Sequence, residues 1–387
     1  MLYQQKELHL KDALSFWQSF KHEERVFFYN PLEQKLIIGA RRLKALHEGA
    51  SYLQFPYVFS TRTFFPTVKE QKWAGLGNET IAFANYLVVM DGKQILYSYK
   101  DCFLGWDNIQ EQEPTSRSHV YEMMTDDYGD WQELFNNVQQ EIMLGKVKKV
   151  VISREMKIAC NTSVSVESVL KNLLEKNPNS FVFAYYKEGK TFIGATPEVL
   201  VCKEKEQVIS HALAGTILRS EPGQDEKQKN LLLNDPKNRH EHQVVLDYIT
   251  SVMKRFSDEV IVGETTTLTL KNLHHLKTCI KAKSDDNSSL QDWVERLHPT
   301  PALGGYPVRE ALEIISRYET HERGLYAAPI GMINEHGDGI FVVGIRSALI
   351  DKNMVYAYAG CGIVEKSECA QEYLESNNKM KSILESL

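Results

Sequence analysis

Several features that would assign the chain at once are missing. Its six cysteines, at 102, 160, 202, 279, 361 and 369, form no CxxC pair and no zinc spacing. A disulfide framework and a structural zinc module are therefore excluded as organising features, and reduced thiols in a cytoplasmic protein are expected. Basic residues are not in surplus: 45 Lys and Arg stand against 51 Asp and Glu, a formal charge of -6. Without a basic stripe no nucleic-acid partner is expected. The densest basic patch, Lys146 to Lys149 around Val147, runs straight into Val150-Val151-Ile152 and reads as the entry to a strand. No apolar run approaches the roughly 20 residues needed to cross a bilayer, so no membrane partner is expected. The opening Met-Leu-Tyr-Gln-Gln-Lys-Glu lacks the pattern of a signal peptide.

Ready-made nucleotide and metal signatures are missing too. There is no GxxxxGK[ST], and no GxGxxG follows a strand to open a helix; HExxH is also absent. In His240-Glu241-His242 the two imidazoles are two residues apart, on different faces of a helix, and cannot share a metal; the adjacent His274 and His275 have the same difficulty.

What remains is an ordinary globular composition over 387 residues, 43% apolar, 25% charged and 10% aromatic. Residues 1 to about 115 read as mostly strand, with Asp91-Gly92 as a hairpin turn between apolar runs. A polar stretch from Gln110 to Ser118 is the one candidate boundary. The expected division is a strand-rich 1–115 packing on a 120–387 region, the two forming one compact unit. After about residue 126, long helices alternate with apolar strands. A helix capped by Asp126 or Asp127 runs to Leu144, a strand follows over 149–158, and a helix covers Ser165 to Lys176. A further helix starts near Pro236, which suits a first helical position, and the last helix covers Gln371 to about Ser386. Ile340 to Ile350 reads as one strand paired with Met354 to Ala359. Hairpins interleaved with helices predict an α+β fold of layered antiparallel sheets with flanking helices.

Four groups of residues carry possible chemistry. Glu372, Glu375 and Lys379 share one face of the last helix, and Glu241 stands one turn after Lys237 on the earlier one. They suit either solvated ion-paired faces or carboxylates from two helices converging on a hard cation such as Mg2+, and spacing does not choose between these. Lys149 opens a strand: exposed it is unremarkable, turned inward it is fit to act as a base. Glu198 follows Pro197 and reads as a turn acid or a catalyst, while Gly360-Cys361-Gly362 reads as a bend in a sheet or as bare backbone approaching an anion.

Taken together, the segments resemble the chorismate-utilising enzymes, the family of isochorismate, salicylate, anthranilate and aminodeoxychorismate synthases. The resemblance covers roughly residues 120–385. It rests on KVVISRE at 149–155, FIGATPEVL at 192–200, ALAGTILR at 212–219, KNRHEHQVV at 237–245, LHPTPALGGYP at 297–307, ERGLYAAPIG at 322–331, GIRSAL at 344–349, AGCGIV at 359–364 and QEYLESNNK at 371–379. Within the family the chain is most similar to isochorismate synthases of menaquinone or siderophore type, through LHPTPALGGYP and Lys149.

The resemblance implies the anthranilate synthase component I-like fold and a Mg2+-dependent, reversible exchange of hydroxyls on chorismate, with water attacking C2 and the C4 hydroxyl leaving. It implies Lys149 as base and Glu198 as acid, and Mg2+ held by Glu241 and Glu375 with Glu372 through water. The ring carboxylate of chorismate would meet the backbone of Gly215 and Thr216 with Lys379 nearby. Arg346 and the Gly360–Gly362 backbone would take the enolpyruvyl carboxylate. His298 and Ala302 would line the reacting face. No glutamine amidotransferase subunit is expected, and a monomer is the default. Four positions depart from the family pattern: Cys361 for Ala, Cys369 for Pro, Ala328 for Gly, and Asn238 where anthranilate synthases are acidic. The alternatives are a salicylate synthase, which goes on to eliminate pyruvate, and a chorismate-binding protein without turnover.

Overall fold

A computed structural model describes residues 2–47, 49–100, 109, 121–124, 127–220, 223–284 and 288–387. The boundary expected at 110–118, Cys102 and the Asp126 cap lie outside these. Among the described residues every strand pairing is antiparallel, and the strands join into one long sheet.

From one end, Lys149–Cys160 pairs with Met354–Ile363, which pairs with Ser347–Asp351, then Lys190–Thr196, then Phe181–Lys187. That strand pairs with Arg25–Asn30, and Lys35–Ala45 and Glu79–Met90 follow. At Glu79–Met90 the sheet passes to Tyr57–Thr61, and from there to Pro329–Asn334, Gly339–Val343, Val199–Glu204, Gln207–Leu218 and Leu273–Lys283. Residues before 100 thus stand in the middle of the sheet, paired on both sides with strands beyond 180.

The sheet doubles back on itself. Its largest apolar cluster gathers Phe181, Phe183, Tyr185 and Phe192 from one half with Val199, Val201, Val208 and Phe341 from the other. Successive residues on a strand point to opposite faces, and runs such as Ile81 to Val88 and Val150 to Ile152 are buried on both, so the second face is apolar too and helices cover it. Helices Leu14–Ser19, Val166–Lys176 and Cys369–Leu384 contribute Trp17, Leu170, Leu173, Met380 and Ile383 to one outer cluster. Tyr128–Met143 and Val308–Tyr318 supply Trp131, Val138, Ile314 and Ile315 to another, over Val150 and Ile152. No helix among the described residues is long and apolar enough to cross a membrane.

Local chemistry explains the element ends. The helix Pro236–Met253 has Pro at its first position and Asp235 as cap, its carboxylate accepting from Asn238 N at 2.8 Å. At the 165–176 helix, Ser165 Oγ accepts from Ser168 N. Asp91 and Gly92 take positive φ between the paired Met90 and Lys93, as a primed two-residue turn requires. Asp127 precedes its helix without capping it, because its carboxylate is engaged by Arg154 and by the Tyr373 hydroxyl, the latter at 2.7 Å.

One expected strand is broken. Ile340 to Ile350 is two strands, Gly339–Val343 and Ser347–Asp351, separated by Gly344-Ile345-Arg346. Arg346 takes φ +52°, and its carbonyl accepts from Ala195 N at 3.2 Å. With Arg346 in the left-handed region the extended run is interrupted here. The break turns its side chain toward a cavity.

Candidate active site

The cavity has a volume of about 1370 Å³ and opens between the helix Pro236–Met253, the start of the strand Lys149–Cys160 and the helix Cys369–Leu384. Twelve of the thirteen residues expected at the site line it: Lys149, Glu198, Gly215, Thr216, Glu241, Ala302, Arg346, Gly360, Gly362, Glu372, Glu375 and Lys379. His298 does not. It lies beyond the wall, half-buried, with Nε2 3.0 Å from the Ala327 carbonyl and its ring edge-on to Phe64.

Lys149 is turned inward, only 4% exposed, and Nζ is 2.8 Å from Glu241 Oε1. The register explains why it has room. Gly362 lies opposite Val151 on the neighbouring strand, and a Cβ there would stand 2.5 Å from Lys149 Cε and 3.4 Å from Glu241 Oε1. The glycine keeps the space that the lysine fills.

Glu198 sits in the short link between Lys190–Thr196 and Val199–Glu204, with its amide 3.2 Å from Thr196 Oγ1 and its carbonyl accepting from Val343 N. Burial pushes its carboxyl up to about 7, against the downward pull of Arg346, Lys149 and Lys379. Those three cations surround a group that the apolar setting keeps able to hold a proton near neutrality.

On the last helix, Lys379 Nζ is 2.6 Å from Glu375 Oε1 and donates to the Gly360 carbonyl at 2.9 Å. Burial alone would lower the Lys379 ammonium, but Glu375 lifts it above the ordinary lysine range, and Lys379 holds Glu375 low in return. Glu372 is raised by burial and then by the like charge of Glu375. Its Oε1 accepts from Ser367 Oγ at 2.9 Å. Glu372, Glu375 and the Cys361 thiol place their ligand atoms within 4.8 Å of one another. Two crowded carboxylates, one destabilised by the other, form a donor set that fits a hard divalent cation. Glu241 lines the same cavity and engages Lys149.

The structure modifies the expectation for Gly215 and Thr216. The amide of Thr216 is already taken by Asn238 Oδ1 at 2.8 Å, and its hydroxyl lies 2.9 Å from His275 Nδ1. His275 is a cavity residue that sequence reasoning passed over, having weighed it only as a metal ligand beside His274. Burial pushes it down to about 3, so it is a neutral hydrogen-bonding ring. Its signal was strand alternation: on Leu273–Lys283 neighbouring histidines face opposite sides, and His274 turns instead to Asp225 at 2.9 Å. Tyr326, also on the wall, stacks on Tyr358 at 5.3 Å between ring centroids.

An inward lysine, a carboxyl able to hold its proton, paired carboxylates and half-buried cations lie together in one cavity of a doubled antiparallel sheet, an arrangement that suits acid–base chemistry on a small anion. Comparison with known proteins places the chain in a family. Residues 40–387 match the model of the family described as chorismate binding enzyme, and the chain belongs to that family. It is 40% identical over 263 residues to the isochorismate synthase MenF of Bacillus subtilis, covering 67% of this chain and 56% of that protein. It is 34% identical over 243 residues to the isochorismate synthase EntC of Escherichia coli, covering 62% of each. The matches span 54 to 61% of the length of the first three curated relatives. The menaquinone-specific isochorismate synthase MenF of Escherichia coli superposes with a TM-score of 0.86 at 21% identity, over 99% of this chain and 94% of that one. Anthranilate synthase component I of Streptococcus pneumoniae superposes at 0.72 and 18% identity, over 99% and 92% of the two chains. The anthranilate synthase component I-like α+β fold is therefore the fold of this chain.

Proposed function

We propose that the protein is an isochorismate synthase, converting chorismate reversibly to isochorismate for menaquinone or siderophore synthesis. The observation that carries this reading is the pairing of Lys149 and Glu198 in one cavity. Hydroxyl exchange at two ring carbons needs a base for the incoming water and an acid for the departing hydroxide at the same pH.

In this reading Lys149 takes a proton from the water that attacks C2. The ring double bonds shift, and Glu198 gives its proton to the C4 hydroxyl as that bond breaks. Water enters and water leaves, so atoms balance and no oxidant is needed. Glu198, burial-raised to about 7, suits the proton-donating role. Glu241, Glu372 and Glu375 would hold Mg2+, which when bound supplies positive charge to the ring carboxylate of the substrate. Arg346 offers a guanidinium fork to the enolpyruvyl carboxylate, beside the bare backbone of Gly360 and Gly362. Ala302 is small enough to leave the reacting face open.

The test is product analysis after incubation with chorismate and Mg2+, with and without EDTA. Isochorismate formed only with free Mg2+ is the expected result. Salicylate with pyruvate would replace the reading by a salicylate synthase. Chorismate bound but unchanged would leave a binding protein.

A further inference from the structure

We propose that His298 is a positioning residue for Arg346: through the Ala327 carbonyl it fixes the turn that aims the guanidinium into the cavity. The inference rests on the reading of the cavity as a chorismate site. It assigns a role to the one expected site residue that the cavity wall excludes.

The connection is a short series of hydrogen bonds. His298 follows the helix Leu290–Leu297 and donates from Nε2 to the Ala327 carbonyl at 3.0 Å. Ala327 lines the cavity and takes φ +58°, a conformation that an alanine holds only when its surroundings impose it. Its amide donates to the Gly344 carbonyl at 2.9 Å, and the Gly344 amide donates back to the Ala328 carbonyl at 2.8 Å. Two residues further on, Arg346 also has positive φ, at +52°. The turn around Ala327 and the break at Gly344 to Arg346 are therefore locked together by reciprocal bonds, and each carries a left-handed non-glycine residue.

Other bonds brace the same turns: Ser347 Oγ donates to the Gly344 carbonyl at 3.0 Å, and the Ala328 amide donates to the Leu325 carbonyl at 3.3 Å. The Arg346 guanidinium has one intramolecular bond among the described residues, a 3.4 Å contact from Nη1 to the Lys379 carbonyl. With so little direct hydrogen bonding, its direction depends on its backbone as well as on the attraction of Glu375 and Glu198. Ala195 N holds the far side of the break through the Arg346 carbonyl. The near side rests on the Ala327 turn, and His298 is the side chain that holds that turn from behind. Phe64, edge-on at 5.5 Å between ring centroids, keeps the imidazole in place.

The experiment compares His298→Leu, which removes the donor, with His298→Gln, whose amide reaches as far as Nε2 and donates again. Steady-state kinetics with chorismate and Mg2+, and calorimetric chorismate binding, are measured well below each variant's Tm. A tilted Arg346 weakens ground state and transition state alike. His298→Leu is expected to raise KM and Kd about tenfold with kcat within a factor of two, and His298→Gln to recover most of the loss. A His298→Leu variant with lowered Tm but unchanged KM and Kd would overturn the proposal and make the residue a packing element. A fall in kcat with loss of one limb of the pH profile would also overturn it, in favour of direct proton transfer. If the wild type binds chorismate without converting it, the functional reading fails while the Kd comparison still decides this one. If it does not bind chorismate, both fall.

Discussion

Glu198 shows at the scale of one residue how burial becomes chemistry. Its carboxyl moves from the ordinary 4.5 to about 7, with burial as the largest cause. Below pH 4.5 it is protonated folded or unfolded. Between 4.5 and 7 only the folded protein keeps the proton, so stability falls as pH rises. Above 7 the deficit is complete, at about 3 kcal/mol for a shift of this size. Glu198→Gln removes the titration and should gain stability relative to wild type between pH 5 and pH 8, read from urea midpoints without metal or substrate. Parallel pH–stability curves for the two proteins would count against the raised carboxyl. The same substitution removes the proposed acid, so kcat should fall about 10²- to 10⁴-fold. In the wild type, kcat/KM in the isochorismate-forming direction should decline as pH passes 7.

At the scale of elements, the strand opened by Lys149 and its glycine-bearing neighbour behave as one device, and two substitutions separate its parts. Gly362→Ala sets a methyl against Lys149 Cε, the movable end of a side chain. The fold should survive with Tm little changed while kcat drops at least about tenfold, because the displaced group is the proposed base. Gly215→Ala meets the Asn238 carbonyl at 2.9 Å and must hold φ +79°. Backbone cannot give way as a side chain does, so a stability loss of about 1–3 kcal/mol is expected, visible as a lower Tm. Equal effects of both variants on Tm would refute this distinction.

Elements were legible in the sequence where the signal is local. Pro236 with its preceding Asp235, the Asp91-Gly92 turn and the run from Lys149 each carry their own capping, turn or burial chemistry. The helices Leu290–Leu297 and Val308–Tyr318 were not singled out, being short and adjoining the Pro- and Gly-rich 299–307 segment. The break at Gly344 to Arg346 was also hidden, because Ile340 to Ile350 is apolar enough to read as one strand. What breaks it is a tertiary clamp from Ala327 and Ala195, which no window of residues displays. His298 was misplaced for the same reason: a motif puts it beside the site, but only the path of the chain decides which side of the wall it occupies.

At the scale of the whole molecule, a chain of formal charge -6 is proposed to bind a dianion, so charge must be distributed unevenly. The cavity shows how. Besides the inner Arg346 and Lys379, its lining includes Lys148, Lys237 and Lys366, all exposed and without an ion pair among the described residues. Asp247 and Glu365 are the exposed acids on the same lining. A rim of exposed lysines above half-buried cations attracts an approaching anion over the Debye length, about 30 Å at 0.01 M salt and about 8 Å at 0.15 M. KM for chorismate should therefore rise with ionic strength while kcat holds steady, because the rim acts on binding and not on the bonds being exchanged. Replacing Lys148 and Lys366 together by Glu should lower kcat/KM roughly tenfold at low salt, and the loss should shrink toward nothing near 0.5 M. Lys237 is left in place because its charge also reaches Glu372, and its loss would mix metal binding with steering. A loss that stayed constant across ionic strength would mean that the two lysines touch the substrate directly or shape the mouth, and that long-range attraction plays no part.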